Sequence, residues 1–135
     1  MLRFDSGAHG SCTINQMAAG RKNRIYFEIY GSKASVEFNG ERPNELWIGR
    51  RNRESGIMIK DPSLMASEAC EITTLPVGHN EGFNCTFKQL YRKIYGYMTG
   101  QIKDIQYPTF EAGLREMIIC EKLIQSNKEE RWITV

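Results

Sequence analysis

The sequence predicts an α+β fold: a largely antiparallel (mixed) open sheet with two main helices packed on one face. Three observations predict it. Residues 24–49, RIYFEIYGSKASVEFNGERPNELWIG, alternate with period two through three consecutive runs separated by turn residues. After Pro76 the period changes to that of a helix, twice. The order is thus strands, then helices, then a short closing strand, which is the pattern of an antiparallel sheet with helices on one side.

Each element has its own signature. Leu2-Arg3-Phe4 reads as a short strand, Ser6 to Gly10 as a turn, and Ser11 to Ala18 as a second alternating strand. Ile25, Phe27 and Ile29 alternate with Tyr26, Glu28 and Tyr30. Gly31-Ser32-Lys33 turns the chain, and Ala34, Val36 and Phe38 resume the alternation. Asn39-Gly40 is a tight-turn signal because both residues tolerate positive φ. Leu46 and Ile48 carry the third strand, with Trp47 on its other face. Gly56 to Lys60 and Glu71 to Leu75 are shorter strand candidates around a loop or single helical turn at 61–69.

Phe83, Phe87, Leu90, Tyr91, Ile94 and Met98 form a helical stripe. Asn80 is its expected N-cap, Glu81 suits its dipole, and Gly96 and Gly100 weaken and end it. A second helix follows Pro108 with Thr109 as cap; its many apolar residues predict burial on more than one side. Asn127 is the expected left-handed stop, and Trp132 to Val135 the closing strand.

Composition narrows the function classes. A chain of 135 residues is one domain by length, 41% hydrophobic and 25% charged, with a core expected to bury roughly 65–70% of the unfolded surface. A net charge of +2 does not call for nucleic acid or an anionic membrane. No apolar run approaches the ~20 residues of a membrane span, and the first residues lack a signal peptide's pattern, so a cytoplasmic location is expected. Cys12, Cys70, Cys85 and Cys120 contain no CxxC pair, which speaks against structural zinc and for reduced, mostly buried thiols. Glu28, Glu37 and Asp104 form no paired-carboxylate pattern.

Three segments together resemble the C-terminal domain of the glucose–fructose oxidoreductase / inositol dehydrogenase (Gfo/Idh/MocA) family. They are GRKNRIYFEIYGSKASVEFNGERPNELWIG, LPVGHNEGFNCTF and YPTFEAGLREMIICEKLIQSNKEERWITV, the last with Gly113, Ser126 and Trp132 in the family's usual places. The resemblance covers essentially the whole chain. It implies an NAD- or NADP-dependent oxidoreductase acting on a sugar, inositol or related polyol, whose C-terminal domain lines the substrate pocket and whose open sheet mediates homo-oligomerisation.

The chain also departs from that family. It has no strand–GxGxxG–helix unit to bring a pyrophosphate to a helix N-terminus. Glu-Lys occurs only at Glu121-Lys122, followed by Leu123 rather than Pro, and the Asp and His that precede the family's first sheet strand are missing. Met1 looks like a start at, or just inside, a domain boundary. The expectation is a fragment, residues 1–135 forming a single C-terminal substrate and oligomerisation domain, that binds no cofactor and is inactive alone.

No residue is expected to be catalytic, to bind cofactor or to hold a metal. Four are substrate-binding candidates. His79, with Asn80 beside it, sits in the loop Pro76-Val77-Gly78-His79-Asn80-Glu81-Gly82, where an imidazole suits a sugar hydroxyl; the competing role is a loop histidine that helps cap the helix. Asn23 and Arg24 lie in the basic-polar turn Arg21 to Arg24, within reach of a substrate or a neighbouring subunit; the competing role is solvated charge at a hairpin tip. Arg50, Arg51 and Arg53 form a second such turn. Two other functions stay open: a non-enzymatic module whose open sheet binds a protein or ligand, and a nucleic-acid binder using the basic turns.

Overall fold

A computed structural model describes residues 1–135. The chain divides into two compact units, residues 1–82 and 83–135. The first holds all the strands. β1 (Leu2–Arg3) pairs antiparallel with β2 (His9–Gly10) across a turn in which Gly7 takes φ 85°. β3 (Tyr26–Tyr30), β4 (Ala34–Asn39), β5 (Glu45–Arg50) and β6 (Gly56–Ile59) form an antiparallel meander in sequence order. The class is α+β, with every strand pair antiparallel.

Register fixes the two faces of the meander. Phe27 opposes Phe38 and Ile29 opposes Val36, while Leu46 opposes both Phe38 and Met58. This face is apolar throughout the meander's centre. The Phe27 and Phe38 rings stack at 5.2 Å, a contact of about 0.5–1.5 kcal/mol beyond area burial. The opposite face carries Tyr26, Glu28, Tyr30, Glu37, Trp47 and Ile57. A one-residue slip would exchange the two faces.

The Asn39-Gly40 turn is longer than a two-residue hairpin. Residues 40–44 make the connection because the Asn39 side chain accepts from the Glu41 N–H at 3.0 Å and Arg42 N–H bonds the Asn39 carbonyl at 2.8 Å. Ser11 to Ala18 forms no strand. Asn15 Oδ1 accepts from Met17 N–H at 2.7 Å, a local turn that takes the donor a ladder would need. Glu71 to Leu75 is also no strand. Glu71 and Ile72 end α1 (Ser67–Ile72), and both the N–H and hydroxyl of Thr74 are bound to Glu81.

The second unit carries α2 (Phe83–Met98) and α3 (Phe110–Glu129). α2 starts at Phe83, so Asn80 does not cap it, and Glu81 is engaged elsewhere. The helix ends as expected at its glycines. Gly100 takes φ 75°, and Ile102 N–H returns to the Gly96 carbonyl at 2.9 Å. That return lays Ile102 against Gly96, where an added Cβ would meet Ile102 Cδ1 at 2.7 Å. Gly96→Val should therefore cost about 1–3 kcal/mol by overpacking, seen as a lower helix melting temperature, whereas Gly113→Ala, with open space around it, should not destabilise.

Thr109 caps α3 by accepting from Ala112 N–H at 3.4 Å. The left-handed stop is Glu130, φ 51° and ψ 35°, rather than Asn127. Trp132 to Val135 makes no strand pairing; just before it, the N–H and carbonyl of Arg131 are both bound to Ser126, at 3.3 and 2.6 Å. Most apolar residues of α3 are exposed rather than buried on several sides, with Ile119 half-buried.

Burial is lower than length predicts. The accessible surface is 11777 Å² where a compact monomer of this mass exposes about 7,200 Å², so about half of the unfolded surface is removed from water. No apolar side chain is fully buried. The cysteines follow suit: all four are free, Cys12 and Cys120 exposed and Cys70 and Cys85 half-buried.

Candidate functional site

Antiparallel pairing, together with side-chain bonds from Asn44 and Lys60, brings the two candidate loops to one end of the meander. β3 and β5 begin there, and β4 and β6 finish there. Asn23 and Arg24 precede β3. His79 and Asn80 lie on the segment tied to Asn44, just before β5, and Lys60, just after β6. The two pairs thus share an end but sit toward opposite edges, two to three strand spacings of about 4.8 Å apart. Neither His79 nor Asn80 is buried.

The segment around His79 is held by the most buried ion pair of the chain. Lys60 Nζ lies 2.7 Å from Glu81 Oε2, with side chains 9% and 11% exposed. Lys60 Nζ also donates to the His79 carbonyl at 2.8 Å and the Leu75 carbonyl at 3.3 Å, which uses all three ammonium donors. Glu81 Oε1 accepts from Thr74 N–H at 2.9 Å and Thr74 Oγ1 at 2.7 Å. Asn44 brackets the Glu81 backbone, accepting from its N–H at 3.0 Å and donating to its carbonyl at 3.2 Å. Burial works to raise the Glu81 carboxyl, but hydrogen bonds from Lys60 and Thr74, with the Lys60 charge, more than offset it and lower it to about 2.

Within the segment, Pro76 to His79 forms a turn in which Gly78 takes φ 81°, closed by His79 N–H to the Pro76 carbonyl at 3.2 Å. His79 Nδ1 lies 3.3 Å from the Val77 carbonyl. A carbonyl only accepts, so Nδ1 is the donor in this contact.

At the other edge, Arg24 is occupied. Its guanidinium lies 4.2 Å over the Tyr26 ring and its Nε 3.7 Å from Glu41 Oε2, which also pairs with Arg21 Nη1 at 2.6 Å. The Arg21–Arg24 turn is therefore partly neutralised. The mixed sheet face continues from it. Hydrogen bonding to Glu28 raises Tyr26 to about 12 and also raises Tyr30, with burial and the Glu28 and Glu37 charges adding to both. Trp47 lies across Gly49, where an added Cβ would come within 2.4 Å of the indole. No group of three or more His, Cys, Asp or Glu is placed to hold a metal ion, and no helix is long and apolar enough to cross a membrane.

Comparison with known proteins places this architecture. The family model described as the oxidoreductase family, C-terminal alpha/beta domain, matches residues 1–135. The chain belongs to the Gfo/Idh/MocA family. This Gfo/Idh/MocA chain is 28% identical to a levoglucosan dehydrogenase of Pseudarthrobacter phenanthrenivorans, over 100% of this chain and 35% of that protein. Among solved structures, an oxidoreductase from Sinorhizobium meliloti superposes with a TM-score of 0.81 at 24% identity, covering 88% of this chain and 34% of that one. An inositol dehydrogenase homolog from Azotobacter vinelandii, in complex with NAD+, gives 0.75 at 21% identity over 84% and 31%. The Gfo/Idh/MocA domain described here thus spans about a third of the length of these relatives.

Sequence reasoning missed Lys60, Asn44 and Thr74, the residues that hold the His79 segment of this Gfo/Idh/MocA domain. Lys60 ends a strand, Asn44 ends a loop, and they lie 21 and 37 residues from Glu81. No spacing rule links such positions. Glu81 reads as a first-turn helix residue; the structure instead binds it to Lys60 and Thr74, ahead of the helix.

Proposed function

We propose that this domain is the substrate-side and subunit-interface part of a cytoplasmic, NAD- or NADP-dependent oxidoreductase acting on a sugar, inositol or related polyol. The observation that carries the reading is the family match over residues 1–135, in company with relatives named for levoglucosan and inositol dehydrogenation. One solved relative, the Azotobacter vinelandii inositol dehydrogenase homolog, is in complex with NADH and myo-inositol. The nicotinamide would be held outside residues 1–135, whose sequence has no strand–GxGxxG–helix unit. The 135-residue chain alone is then inactive and binds no dinucleotide.

In this reading His79 and Asn80 meet substrate hydroxyls, His79 Nε2 as acceptor and the Asn80 amide as both donor and acceptor. Asn23 and Arg24 serve the same end of the sheet or a neighbouring subunit. The assay is nicotinamide reduction by the full-length polypeptide with NAD+ or NADP+ and either myo-inositol or levoglucosan. His79→Ala should raise the polyol KM about tenfold, the worth of one hydrogen bond to a ligand. Full-length protein inert toward every polyol with both cofactors sinks the reading and leaves the non-enzymatic binding module.

The mixed sheet face is the proposed contact with a second copy. Tyr30 is 72% exposed and Trp47 37%, anchors of the kind that dominate interfaces. A Tyr30→Ala, Trp47→Ala double variant should weaken self-association by on the order of 100-fold in sedimentation equilibrium. An unchanged association constant would remove this face from the interface.

A further inference from the structure

We infer that Lys60 and Asn44 are positioning residues that fix residues 74–82 as a preformed rest for a hydroxylated ligand, holding the backbone around His79 and Asn80 while leaving both side chains free. The inference rests on the reading above, in which those two side chains meet substrate.

Three observations carry it. The clamp acts on backbone: Lys60 Nζ takes the carbonyls of Leu75 and His79, and Asn44 takes both the N–H and the carbonyl of Glu81. The segment is also closed on itself, since Thr74 donates twice to the Glu81 carboxylate at the other end of the loop. Finally, the Lys60 and Glu81 side chains of the clamp are nearly buried, whereas His79 and Asn80 are exposed. The nearly buried pair thus holds a loop whose His79 and Asn80 side chains lie exposed. A loop ordered before binding does not lose that freedom on binding, so its order appears in the affinity for the ligand.

The Lys60 ammonium is suited to this work as a compact charge with three rotatable donors, each used on a different part of the loop. A guanidinium is planar and wider, and would reach the Glu81 carboxylate without matching both carbonyls. Lys60→Arg should therefore keep the ion pair and lose part of the positioning.

The experiment has two arms. In the 135-residue chain, Lys60→Met should speed amide exchange across residues 74–82 by about tenfold or more beyond the rise that the loss of global stability gives the β4 and β5 amides. In the full-length polypeptide, with myo-inositol and levoglucosan as probes, the same variant should raise the polyol KM about tenfold and leave the nicotinamide KM unchanged. Lys60→Met combined with Glu81→Leu removes the buried charge along with its partner, which restores stability but not the clamp. Its polyol KM should stay high, a split that a purely stabilising role would not give.

Wild-type exchange across 74–82 and a wild-type polyol KM in this folded double variant overturn the inference while His79→Ala still raises KM. If instead His79→Ala and Asn80→Ala leave the polyol KM unchanged, the substrate role of the segment falls. The inference then falls with it, even where the exchange arm has shown the clamp.

Discussion

Replacing Lys60 with Met should destabilise the sheet-bearing unit by about 3–5 kcal/mol, the cost of leaving a nearly buried carboxylate without its partner. The figure is large because the two side chains are 9% and 11% exposed and Lys60 Nζ serves three acceptors at once. An exposed pair would lose only about 0–1 kcal/mol. Arg42–Glu45 is such a pair, at 58% and 41% exposure, and Arg42→Met serves as the control. Urea unfolding in a Trp132→Phe background isolates the signal of Trp47, which lies on the sheet. The Lys60→Met, Glu81→Leu variant should recover most of the loss, since apolar replacement of a whole buried pair is often neutral. A loss below about 1 kcal/mol for Lys60→Met would show that water reaches the pair and screens it.

Acid should undo the same interaction from the other partner. Glu81 is lowered to about 2 in the folded chain against an ordinary value of 4.5. The native state thus binds this proton less readily than the unfolded chain does. The stabilisation is present in full above about pH 5 and is lost as pH falls through 4.5 toward 2. A displacement of that size corresponds to on the order of 3 kcal/mol. Asp61, Glu68, Glu111 and Glu129 are also lowered, the first three chiefly by local hydrogen bonds to Ser63, their own backbone or Thr109, and Glu129 chiefly by Gln125. They lie in water and add to the slope in the same direction. Glu81→Gln should flatten the acid limb of the stability profile between pH 5 and 2, measured as urea midpoints at fixed ionic strength. A wild-type acid limb in that variant would assign the acid sensitivity to other carboxylates.

Local chemistry was readable wherever the deciding contact lay within a few residues. The alternation through β3, β4 and β5, the Thr109 cap and the glycine-terminated end of α2 all follow from neighbours in sequence. The failures share a cause. At Asn15, a side chain claimed the Met17 N–H that a strand requires. At Thr74 the claimant was Glu81, seven residues on. Competition between local hydrogen bonds and a ladder depends on which partner arrives, and alternation does not record it.

The candidate site divides along the same line. His79 and Asn80 were visible as polar residues in a glycine-containing loop, and Asn23 and Arg24 as a polar turn. Strand order, which the sequence does determine, puts the start of β3, Asn44 and Lys60 at one end of the sheet. What holds the His79 loop there does not follow from it. Lys60 and Asn44 reach Glu81 across 21 and 37 residues, and side-chain bonds of that range have no period to betray them. By itself the sequence determined the class, the strand order, the two faces and the family, because these rest on repeated local pattern. The tertiary structure alone decided that a nearly buried ion pair, drawn from a loop and the end of a strand, fixes the segment carrying His79, because a buried charge must find its counter-charge in space rather than in sequence.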